Sequence, residues 1–129
     1  MRRYSLVLNA VGYGDAALWK LSGEGTTLWV MRSNGTLNGV AVDSANAVVA
    51  AGSFSSSPAM FGGVALTHAG GGDAVLWKLS AEGTTLWAVR GGGTLQAVAV
   101  DSANAVVAAV KFSSSYPVRP GIIHVIWCE

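Results

Sequence analysis

The residues best suited to chemistry are few, and most of them come in pairs. Asp15, Asp43, Asp73 and Asp101, with Glu24 and Glu82, are the acids that recur along the chain at fixed spacing. Oxygen ligands in that number are the material of a calcium site, yet no dense Asp-x-Asp run gathers them. An aspartate beside a turn ordinarily accepts hydrogen bonds from neighbouring backbone N–H groups, and that structural role is the reading we adopt. Trp19, Trp29, Trp77 and Trp87 can stack on sugar rings where their faces are open, but a layered β-structure needs large apolar groups between its sheets, which favours core packing. His124 and Cys128 would share one face of a strand, as a thiol and an imidazole, with no third group to orient them. His68 stands in a linker where the other half of the chain has Ala10, so it is not a repeated ligand. The run GYGDAA, with Gly12, Gly14 and Ala17, mimics a dinucleotide fingerprint. Val75 replaces its last small residue in the second copy, and no acid follows at the required distance. Asn34-Gly35-Thr36 is a glycosylation sequon, relevant only to a secreted chain. These patterns predict no catalytic site, no metal and no cofactor, hence a chain that is not an enzyme.

The pairs arise because the chain repeats itself. GDAALWKLSGEGTTLWVMR, residues 14–32, returns as GDAVLWKLSAEGTTLWAVR at residues 72–90. Subtracting 15 from 73 gives a period of 58 residues, and the same period relates Trp19 to Trp77, Trp29 to Trp87 and Asp43 to Asp101. A period of that size points to solenoids, propellers or arrays. The whole chain, 1–129, reads as one repeat region with units at about 6–63 and 64–121 and a divergent tail at 122–129. Beyond residue 115 the match fades: Arg119, Pro120 and His124 stand where the first copy has Phe61, Gly62 and Leu66.

Composition narrows the classes further. Apolar residues make up 51% of the chain and charged residues 12%, the reverse of a disordered composition. The net charge is +1 and no basic cluster exceeds Arg2-Arg3, so neither nucleic acid nor an acidic membrane is an expected partner. No apolar run approaches the ~18 residues of a membrane span. The single Cys128 permits no disulfide within the chain and leaves the compartment open. Met1-Arg2-Arg3 and the apolar stretch after it imitate a signal peptide, but residues 6–14 align with 64–72 inside the repeat, which assigns them to the fold.

These positions must be held by strands. DAALWKLS alternates its side chains with period 2 and is too short for a typical helix. With the GEG turn and TTLWVMR it reads as a hairpin in which Gly25 takes a positive φ, and Gly83 is its counterpart. TLNGVAVDSANAVVAAGSF reads as a second hairpin turning at residues 43–46, with Asn46, and Asn104 in the second copy, left-handed. Around that turn VAV and AVVAA lack alternation, as strands covered on both faces do, and we expect both to lie inside.

The Asp opening a strand that ends in Lys-Leu (Asp15 and Lys20; Asp73 and Lys78), the Gly-x-x-Leu-Trp strand (Gly25 and Trp29; Gly83 and Trp87), the Ala-Val-Asp-Ser turn and the Phe-Gly-Gly linker at 61–63 resemble the SBBP repeat, a family described as a seven-bladed β-propeller repeat. The resemblance covers the chain to about residue 121. Where the family has Gly-Asn after Asp-Ser, this chain has Ala-Asn-Ala. The resemblance implies an all-β fold of four-stranded antiparallel blades, with the VAV hairpin innermost and the Trp strands outside. It implies no particular activity but a scaffold or protein-interaction module, often in surface or secreted proteins. A chain of 129 residues holds little more than two 58-residue units, whereas propellers close at about four to eight blades. We therefore expect an incomplete propeller with open blade edges, available to a protein partner or to self-assembly. The alternative is a lectin-like module binding glycan through Trp19 and Trp77.

Overall fold

A computed structural model describes residues 15–55, 58–67 and 73–111. Gly12 and Gly14, His68, the imitation signal segment, and the tail with Arg119, His124 and Cys128 lie outside the described residues. The fold is all-β and antiparallel, with no helix and no closed barrel or propeller among the described residues, consistent with an incomplete propeller-like fold.

Ten strands run in order: β1 (Asp15–Leu21), β2 (Thr27–Asn34), β3 (Thr36–Val42), β4 (Val48–Phe54), β5 (Ala59–Phe61), β6 (Val64–Leu66), β7 (Asp73–Leu79), β8 (Thr85–Gly92), β9 (Thr94–Val100) and β10 (Val106–Lys111). Local turn chemistry sets the hairpins. Gly25 and Gly83, with φ of 88° and 91°, close β1–β2 and β7–β8, while Asn46 and Asn104, with φ of 63° and 64°, close β3–β4 and β9–β10.

The sheets do not coincide with the repeat units. The central sheet, in the order β3-β4-β7-β8, joins the second hairpin of the first copy to the first hairpin of the second. Its joint is an unbroken antiparallel ladder from Val48 opposite Leu79 to Phe54 opposite Asp73. A second sheet, β1-β2-β5-β6, holds the first Trp hairpin with a short pair docked on it, and a third consists of β9 and β10 alone.

Period-2 alternation along β4 and β7 stacks these three sheets. Ala50 and Phe54 of β4 and Val75, Trp77 and Leu79 of β7 form one buried cluster with Ala59 and Phe61, against which Leu18, Trp29 and Met31 pack. The intervening residues, Val49, Ala51, Ala74 and Leu76, face the other way and pack with Leu95, Val98, Val100, Val106, Ala108 and Val110. The two inner strands of the central sheet, β4 and β7, are therefore covered on both faces. Phe61 links the layers, edge-on to Trp77 at 5.9 Å and to Phe54 at 5.8 Å between ring centroids.

The expectation that VAV and AVVAA are both covered on two faces holds for β4 and fails for β3. Val40 and Val42 are each 58% exposed, because β3 is an edge strand whose face beyond Ala50 and Val48 carries no described hairpin. β10, the second copy of β4, likewise alternates, with Val107 open.

Trp29 shows how one copy seats on the next. Its Nε1 donates to the Ala81 carbonyl at 2.9 Å, and its ring lies 3.0 Å from where a Cβ on Gly83 would stand. Gly25, the counterpart turn, has open space there. Replacing either glycine by alanine forces a side chain into the left-handed region, costing about 1–2 kcal/mol. Gly83→Ala is expected to cost roughly 1 kcal/mol more than Gly25→Ala through crowding of Trp29. Urea melts of the two variants check this, and equal losses would show that Trp29 does not seat on the turn.

Candidate functional site

The repeated acids divide into two structural roles. Asp43 Oδ1 accepts from the N–H groups of Ala45 and Ala47, both at 2.9 Å, and Asp101 does the same with Ala103 at 2.8 Å and Ala105 at 2.9 Å. These turn roles are those the sequence suggests. Asp15 and Asp73 open their strands instead and face the partner strand: Asn34 Nδ2 donates to Asp15 at 3.3 Å, and Arg90 approaches Asp73 at 3.7 Å. Glu24 and Glu82 are exposed in the hairpin turns. Among the described residues no three His, Cys, Asp or Glu side chains come together as a metal site would require.

Asp43 has one further partner. Lys78 Nζ lies 3.4 Å from its Oδ2, across the joint between the copies. The Ala47 N–H bond above all, then the Ala45 N–H and Lys78, hold its carboxyl below the usual 3.8, against a desolvation that acts in the opposite direction. A depressed folded value gives stability that is whole above the ordinary pKa and fades as the pH falls through the folded one. Asp43→Asn is thus expected to lower the urea midpoint at neutral pH. Its gap from the unchanged chain should close as both are titrated from about pH 4 toward about pH 2. A gap that stays constant would remove charge from the account.

The DSANA turns also contact each other. Ser44 N and Oγ lie 3.1 Å and 3.0 Å from Asn104 Oδ1, and Asn104 Nδ2 donates to Ser44 Oγ at 2.8 Å. Their counterparts, Ser102 and Asn46, are both exposed, with no such bond described. Sequence reasoning missed this contact, for spacing within one copy carries no sign of contacts between copies.

The four repeated tryptophans separate by layer. Trp77 is 0% exposed and Trp19 is 47% exposed, although each donates Nε1 to a threonine, Thr85 or Thr27, at 3.0 Å. Trp77 presents no face to a sugar, which corrects the pairing of Trp19 with Trp77 as glycan platforms. Trp29 and Trp87 are half-buried in the two interlayer clusters. At the sequon, Asn34 spends its amide on the fold, since its Oδ1 also accepts from Met60 N at 2.8 Å.

No family model matches this chain, and no curated protein matches it.

What the geometry leaves available is surface. Ala17, Trp19 and Leu21 form the bare face of β1, Val40 and Val42 that of β3, and Val107 and Ala109 that of β10. Among the described residues no strand pairs with the outer edge of β1 or of β10. Nor is any helix there long and apolar enough to cross a membrane.

Proposed function

We propose that the chain is a non-enzymatic, β-propeller-type repeat segment that acts as a scaffold or protein-interaction module. The observation that carries this reading is the central sheet built across two copies, which leaves apolar faces and unpaired strand edges on the outer sheets. Unpaired edges flanked by apolar side chains are templates for another strand. The order β3-β4-β7-β8 sets the VAV hairpin strands beside the second Trp hairpin in one four-stranded antiparallel sheet, which supports a blade-type reading. The four repeated aspartates support it too, because each is used by a turn or a partner strand.

The test is the size of the tagged chain in extracts of its own source, at native abundance, on a sizing column. The chain is expected to migrate in an assembly larger than itself. Trp19→Ser with Val107→Ser, two substitutions at exposed positions, is expected to release it. Unchanged migration of the variant, or migration of the original chain by itself, would sink the interaction reading.

A further inference from the structure

The repeat makes the outer edges of β1 and β10, which no described strand pairs, complementary to each other. We propose that the chain binds a second copy of itself head to tail, β10 of one chain pairing with β1 of the next to build a sheet like the central one. The inference deepens the interaction reading above, on which it rests, by naming the partner and the register.

The joint already exists once inside the chain. β4 pairs with β7, and their counterparts 58 residues away are β10 and β1, each with an outer edge that no strand pairs among the described residues. Shifting the register by one period places Val106 opposite Leu21, Val107 opposite Lys20 and Ala108 opposite Trp19 of the next chain, as Val48, Val49 and Ala50 stand opposite Leu79, Lys78 and Trp77. A sheet β9-β10-β1-β2 shared by two chains results.

Several other contacts across the internal joint have counterpart residues near β1 and β10. Asp43 meets Lys78; Asp101 has no cation paired with it among the described residues, and Lys20 Nζ donates to the Ala81 carbonyl. Ser44 meets Asn104; Ser102 and Asn46 stand open. Trp29 seats on Gly83; Trp87 is half-buried and Gly25 has open space above it. Val49, 0% exposed, packs into the cluster that includes Val98 and Val100. Its counterpart Val107 is 61% exposed, and so are the groups that would receive it, Val40 and Val42 at 58%. One period of translation covers them all. Leu28 and Leu86, exposed alike in both copies, fall outside the joint. Two core residues lack a counterpart by sequence, Pro117 and Arg119 standing where Ala59 and Phe61 do in the first copy.

Such a contact is heterologous and therefore yields a closed ring or an open filament. Each chain would supply two blade-like sheets, its own central one and one shared, the shared one carrying β5 and β6 on the far edge of β2. Rings of two, three or four chains then hold about four to eight blades, the range in which propellers close.

The experiment uses the full purified chain in a Cys128→Ser background. Light scattering on a sizing column is expected to give a defined mass of several chains. Val107→Lys, a change at an exposed position, is expected to return a folded monomer with an unchanged circular dichroism spectrum. Chains carrying Lys20→Cys and chains carrying Val107→Cys, separately tagged and mixed, are expected to form the mixed disulfide on oxidation. Lys20→Asp, which leaves the Asp101 turn intact, should weaken assembly about fivefold. A folded monomer of the original chain would overturn the proposal, as would like-with-like disulfides, which mark a two-fold contact. If that monomer still enters a larger assembly in extract, the interaction reading stands while the self-pairing falls.

Discussion

Trp77→Ala is expected to lower folding stability by roughly 3–5 kcal/mol, whereas Trp19→Ala, the same change one period earlier, should cost about 1 kcal/mol or less in dilute protein. The two residues share neighbours in sequence, hairpin and Nε1 bond. They differ in what covers them. Trp77 lies between sheets, edge-on to Phe61 and backed by Trp29 and Met31, so its truncation opens a cavity the rigid layers cannot fill. Trp19 lies on the bare face of β1, and its truncation removes little buried area. Urea denaturation of both variants measures the difference. Raising the protein concentration should enlarge the Trp19→Ala effect alone, because a chain that buries this face in a second copy is stabilised by mass action.

Phe61→Ala is the second large loss, again roughly 3–5 kcal/mol. Phe61 belongs to β5, a strand of three residues whose pairing to β2 rests on Ser33 opposite Phe61. So short a strand has few ladder bonds, and its side chain anchors it instead. Packing between Phe54 and Trp77, the ring couples the outer sheet to the central one. The double variant with Trp77→Ala is expected to lose less than the two single losses together, by about 0.5–1.5 kcal/mol or more, the range for an edge-to-face pair. Strictly additive losses would mean that the two rings do not support each other.

Much of the local structure was legible because it is written in single residues. Gly25 and Asn46 mark turns by the φ they tolerate, and DAALWKLS marks a strand by its alternation. The period of 58 residues told which elements would resemble each other. It did not tell which would pair. The ladder between β4 and β7 joins segments of different copies across a linker, and no local preference encodes that register. Equality of sequence also concealed the inequality of Trp19 and Trp77, since burial depends on whether another sheet lies alongside. VAV misled for the same reason: its apolar run suits a covered strand, and β3 has one open face. The linker pair β5 and β6 carried only punctuation and a brief apolar piece, too short to separate strand from loop.

The central claim is that the stable unit is the sheet shared by the two copies, not either copy alone. Amide hydrogen exchange of the dilute chain, resolved by residue, tests it most directly, because exchange from buried ladders follows the free energy of opening. The account predicts the slowest exchange in β4 and β7 together, with β1, β3 and β10 exchanging faster. Protection that instead divides by repeat unit, with β1 to β4 opening as one group and β7 to β10 as another, would contradict it.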